Sequence, residues 1–214
     1  MSCEDIHGLI LDYGEVLCHR PTPEKIARMA EALRLDPEAF AARYQKERGP
    51  YDRGDVNYPD YWSRVAAGSV KLDYDLLDQL RKWDVEMWTD LDQDMTEWLR
   101  RVQAYGGLKT AVLSNMHADM ASYARRTFGW WQRLDSLTLS CEVRLIKPER
   151  AMYERCLEGL ALRPDEALFI DDREENVQAA REVGLRALRF ESVERLRGDL
   201  EGLGFAVLPA ARPR

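Results

Sequence analysis

The chain of 214 residues is 45% hydrophobic and 32% charged, enough to bury one core domain with room for a smaller insertion, and unlike a repeat array or a disulfide-stapled module. Lys plus Arg total 31 against 38 Asp plus Glu, a formal net charge of −7, which disfavours nucleic-acid backbones and anionic membranes as partners. The four cysteines, Cys3, Cys18, Cys141 and Cys156, form no CxxC pair or zinc-type spacing and read as reduced thiols. The acidic start and the short apolar run that breaks at Asp12 match neither a signal peptide nor a membrane span, so a cytoplasmic location is expected.

In chain order, the first expected element is residues 8–12, an apolar run closed by Asp12, the pattern of a strand buried on both faces of a parallel sheet. Residues 18–94 carry helical periods instead, such as Ile26, Met29, Ala30 and Leu33, then Leu72, Leu76, Leu80 and Trp83. Thr22-Pro23 and Asp36-Pro37 mark two helix starts, an N-cap residue before a proline, and residues 49–55 are expected to form a loop. Trp62, Trp83, Trp88 and Trp98 read as packing of this helical bundle. A helix over roughly 94–105 should stop at Gly106-Gly107 with a left-handed cap, ahead of a strand over 110–115.

Weak strands are expected near 137–140 and 186–190, helices over 149–160 and 174–183, and a strand over 167–172 ending in Asp171-Asp172. Residues 189–199 read as a solvated helix face and the tail 209–214 as frayed. Strand and helix alternate, which predicts an α/β fold: a doubly wound, Rossmann-like parallel sheet with an inserted all-helical segment. The expected division is a core of 1–17 and 95–214 and a helical cap of 18–94.

Ligands of open α/β sheets bind outside the carboxyl ends of the strands. Asp12, Ser114, Asp171 and Asp172 all fall there, and Lys147 precedes a helix at Lys147-Pro148. Carboxylates, a hydroxyl and an ammonium together suit an anion held by a divalent cation.

Four motifs in order, Leu11-Asp12-Tyr13-Gly14-Glu15-Val16-Leu17, Leu113-Ser114-Asn115, Lys147-Pro148 and Phe169-Ile170-Asp171-Asp172, resemble those of the haloacid dehalogenase-like hydrolase superfamily over nearly the whole chain. The helical segment between the first two is similar to the family's type-1 cap. The resemblance implies Asp12 as nucleophile forming an aspartyl-phosphate. It implies Mg²⁺ held by Asp12, the Gly14 carbonyl and Asp172, with Asp171 acting on the ion indirectly. Ser114 would donate to a phosphoryl oxygen, Asn115 would orient the loop, and Lys147 would offset negative charge. The implied substrate is a small phosphorylated metabolite.

Most family phosphatases read Asp-x-Asp in the first motif, where the second aspartate protonates the leaving group. Gly14 stands there in this chain. The Asp-x-Gly-x-Val pattern resembles a branch that includes sugar-phosphate phosphatases, with Glu15 or a cap residue as substitute acid, or a substrate that needs little protonation. Two alternatives are a 2-haloacid dehalogenase, against which the retained Asp171-Asp172 pair speaks, and a catalytically idle binding or scaffold protein. Arg20 and Arg53 are candidates to touch substrate on cap closure. His117 is close enough to the second motif to reach the site, although a solvated loop is its expected setting. Tyr13 is expected to pack under the sheet.

Overall fold

A computed structural model of the chain describes residues 6–204; Cys3, the first five residues and the tail 209–214 lie outside the described residues. Five parallel strands, β1 (Gly8–Leu11), β2 (Lys109–Ser114), β3 (Ser136–Leu139), β4 (Ala167–Asp171) and β5 (Arg186–Arg189), form one sheet in the order β3-β2-β1-β4-β5. Side chains alternate across a strand, and here both faces are buried. Leu9, Leu11, Val112, Leu168 and Ile170 point to one side, packing on helices α5 (Gln93–Tyr105), α6 (Ala118–Thr127) and α10 (Val193–Gly202). Ile10, Ala111, Leu113 and Phe169 point to the other, against α8 (Arg150–Leu160) and α9 (Glu174–Val183). Continuous apolar runs follow because no strand face meets water.

Between β1 and α5 lie four helices, α1 (Pro23–Ala32), α2 (Pro37–Asp52), α3 (Tyr58–Ala66) and α4 (Tyr74–Met87). They enclose an apolar cluster of their own, with Met29, Leu33, Phe40, Tyr61, Trp62 and Leu80 inaccessible to solvent. Thr22 and Asp36 cap α1 and α2 through their side chains, each followed by proline, as the sequence predicts. The chain leaves and re-enters through two segments that pair with each other: His19 N–H donates to Asp90 O and Asp92 N–H to Leu17 O.

Two local expectations need correction. Residues 49–52 are not a loop, because α2 continues through Gly49-Pro50 to Asp52. Proline removes one helical N–H, and packing compensates: Tyr51 stacks on Tyr61 at 4.2 Å and Arg48 pairs with Asp52 one turn on. Gly106 has a positive φ of 72° but ψ of 175°, an extended exit toward β2 rather than a left-handed helical cap. A short helix, α7 (Ser140–Val143), follows β3. Among the described residues no helix is long and apolar enough to cross a membrane.

Candidate active site

The sheet order reverses beside β1, since β2 and β3 lie on one side and β4 and β5 on the other. The carboxyl ends of β1, β2 and β4 therefore open onto one place, and a cavity of about 570 Å³ lies there between the sheet and the inserted helices.

Asp12 follows β1, its N–H bonded to Ile170 O. Its Oδ1 accepts from Tyr13 N–H at 2.7 Å and lies 2.8 Å from Lys147 Nζ. Burial pushes this carboxyl up to about 6, against the lowering effect of the Lys147 charge, and the Ser114 hydroxyl hydrogen-bonds to it. Lys147 also reaches Asp171 Oδ2 at 2.6 Å. Its ammonium, 4% exposed as a residue, thus sits between two carboxylates, and their charges outweigh desolvation and hold it protonated.

Asn115 fixes where that lysine stands. Its side-chain amide donates to Lys147 O at 3.1 Å and accepts from Lys147 N–H at 2.8 Å. Asp171, fully buried, is fixed in the same way: Oδ1 accepts from Arg173 N–H and from the Asn176 amide. Asp172 differs. No hydrogen bond or ion pair from the described residues reaches its carboxylate, and burial together with the charges of Asp12, Asp171 and Glu15 pushes it up to about 7.

One oxygen from each of Asp12, Asp171 and Asp172 lies within 4.8 Å of the others. Three clustered carboxylates, one of them uncompensated, are what a hard divalent cation neutralises, and an all-oxygen set suits Mg²⁺. The residues present fit the ion.

Gly14 and Glu15 line the cavity. Glu15 takes a left-handed φ of 56° and pairs with Arg20 at 2.8 Å. Arg20 is also on the lining, at its exposed rim. Tyr13 also borders the cavity, while its ring packs on Phe128 and Trp131 and its hydroxyl donates to Trp88 O.

Two candidates stand elsewhere than the sequence suggests. Arg53 does not line the cavity; its guanidinium pairs with Glu149 and lies near Asp55. His117 does line it, yet it is no solvated loop residue, being 1% exposed. It stacks on Tyr51 at 5.1 Å, and its Nε2 lies 3.5 Å from Asp84 without a hydrogen bond. Burial lowers its pKa, so the ring is neutral.

Sequence reasoning missed the wall opposite the carboxylates. Arg48 of α2 lies buried there, donating to Asp52, Asp84 and the Tyr44 hydroxyl, beside Trp88 at the end of α4. The available signal was Tyr44, Arg48 and Asp52 at i, i+4 and i+8, one helical face whose last member falls inside the expected loop 49–55.

The model of one protein family, described as haloacid dehalogenase-like hydrolase, matches residues 5–184. Acyl-CoA dehydrogenase family member 10 of Mus musculus is 31% identical over 128 residues, 56% of this chain and 11% of that one. Flavin mononucleotide hydrolase 1 of Arabidopsis thaliana is 38% identical over 68 residues, 32% of this chain and 28% of that one. This chain thus corresponds to a minor part of such relatives. Among solved structures, a haloacid dehalogenase-family enzyme of Bacteroides thetaiotaomicron in complex with magnesium and inorganic phosphate superposes with a TM-score of 0.69 at 19% identity, covering 89% of this chain and 98% of that one.

Proposed function

The chain belongs to the haloacid dehalogenase-like hydrolase family, and from that membership we propose that it is a Mg²⁺-dependent phosphohydrolase that cleaves a small phosphorylated metabolite through an aspartyl-phosphate on Asp12. The observation that carries this reading is the uncompensated Asp172 carboxylate beside the Lys147-clamped pair Asp12 and Asp171. That arrangement calls for a cation and then for an anion. A solved structure of the same fold is a complex with magnesium and inorganic phosphate, which supports the choice of ion and ligand. A dehalogenase that works without metal has no use for three clustered carboxylates.

Asp12, Asp172 and the Gly14 carbonyl would hold the ion, with Asp171 steadying Lys147. When bound, Mg²⁺ would neutralise carboxylate charge and a phosphate oxygen, so that two anions can meet. Tyr13 N–H and Lys147 fix Oδ1 of Asp12 and so set the orientation of the nucleophile. Ser114, 2% exposed at the end of β2 with its hydroxyl on Asp12, would donate to a phosphoryl oxygen once substrate is bound. Asn115 acts as a positioning residue for Lys147. Helices α1 to α4 act as a cap that covers the cavity and excludes water.

Phosphate release from p-nitrophenyl phosphate with Mg²⁺ tests the reading. Asp12→Asn should lower it by on the order of 10³-fold or more, since nucleophile and its charge are lost together. Absence of release across a panel of phosphate esters would leave an idle binding protein, and metal-independent halide release from a 2-haloacid would leave a dehalogenase.

A further inference from the structure

Resting on the phosphohydrolase reading, we infer that the leaving group is an uncharged aromatic ring that carries the ester oxygen directly: the substrate is an aryl phosphate rather than a sugar phosphate or a bisphosphate. Three features of the cavity converge on this.

The first is the space beside the nucleophile. A Cβ added at Gly14 would meet the Trp88 ring at 3.6 Å, so an aromatic wall stands where an acidic side chain would otherwise project. That ring is held at two points, its Nε1 donating to the Tyr44 hydroxyl at 3.2 Å and its backbone carbonyl accepting from Tyr13. Gly14 has no side chain with which to protonate a departing oxygen. A phenolic oxygen needs less such help than an alkoxide, because the ring delocalises its charge.

The second is the state of the cations. Arg20, Arg48, Lys147 and Arg173 lie on the lining, and each already holds a carboxylate. Arg20 pairs with Glu15, Arg173 with Glu175 at 2.6 Å, Arg48 with Asp52 and Asp84, and Lys147 with Asp12 and Asp171. A second anion on the substrate would have to displace one of these carboxylates.

The third is what the wall around Trp88 offers a leaving group. The Tyr44 hydroxyl donates to Asp84 and accepts from Arg48 and Trp88, so it has no capacity for a polyol. A sugar hydroxyl set beside Tyr44 and Trp88 would give up water without gaining a partner from either. Met116, Met120 and Ile146 complete the lining from the core side, an apolar counterface to Trp88. A cavity of about 570 Å³ holds a phosphate with one or two fused rings.

The chemistry balances without an added acid. An Asp12 oxygen forms its bond to phosphorus as the bond from phosphorus to the aryl oxygen breaks, and the electron pair leaves on the phenolate. Water then attacks phosphorus, restoring the Asp12 carboxylate and releasing phosphate. The proton that this water gives up balances the one the phenolate takes from solvent.

The test is phosphate release by the full chain with Mg²⁺ from 1-naphthyl phosphate, phenyl phosphate, acetyl phosphate, glucose 1-phosphate, glucose 6-phosphate and fructose 1,6-bisphosphate. The aryl esters should exceed glucose 6-phosphate in kcat/KM by about 10²-fold or more, the scale of a missing general acid. Acetyl phosphate has a good leaving group and no ring, which separates reactivity from recognition. Trp88→Ala should raise KM for 1-naphthyl phosphate about tenfold more than it raises KM for acetyl phosphate, and Trp88→Phe should keep most of the affinity. Equal or better turnover of glucose 1-phosphate than of 1-naphthyl phosphate would overturn the inference, as would Trp88→Phe raising KM for both probes alike. Release from no ester at all would instead overturn the phosphohydrolase reading on which it rests.

Discussion

Lys147 is the residue on which the site's electrostatics turn. A buried ammonium between two carboxylates is stable only as a set, and removing one member leaves uncompensated charge worth about 3–5 kcal/mol. Lys147→Met should therefore lower stability by that order in urea denaturation, and lower kcat/KM by roughly 10²–10³-fold. Asp172 carries the opposite imbalance. Its carboxyl is pushed up to about 7 from an ordinary 3.8, so between those values the folded, metal-free protein binds a proton that the unfolded chain has lost. The contribution of Asp172 to stability consequently falls as pH rises through that window. In EDTA, Asp172→Asn should gain stability relative to the parent between pH 5 and pH 8, read as a rising difference in urea midpoint; a flat difference would refute the assigned environment. Asp12, Ser114, Lys147, Asp171 and Asp172 were legible in the sequence because each ends an apolar run or opens a helix. The burial of His117 was not, since the groups that cover it, Tyr51 and Asp84, come from distant helices.

At the scale of elements, the strands and the capped helices follow from local pattern, whereas the end of α2 does not. Gly49-Pro50 reads as a break, yet the helix persists to Asp52 because Tyr51 packs on Tyr61 and Arg48 bridges to Asp84 of α4. Arg48 thereby ties α2 to α4 across the insertion's interior. Arg48→Met should cost about 3–5 kcal/mol by leaving Asp84, 0% exposed, and Asp52 unpaired. A loss below about 1 kcal/mol in urea denaturation would show that the bridge is not what holds the pair together.

For the whole molecule, the net charge of −7 is part of the binding device rather than only a bar to nucleic acid. Clustering Asp12, Asp171 and Asp172 at one sheet edge stores repulsion that a divalent cation relieves. Mg²⁺ at about 100 times its Kd should stabilise the protein by about 2.7 kcal/mol, raising Tm, and Asp172→Asn should abolish most of that shift. Sequence alone determined the sheet, the inserted helices and the residues at the strand ends, because hydrophobic period and capping act over a few residues and four motifs occur in a fixed order. Only the tertiary structure decided what faces them across the cavity. Arg48, Trp88 and His117 gain their burial and partners from contacts between segments far apart in the chain, and no local pattern encodes such contacts.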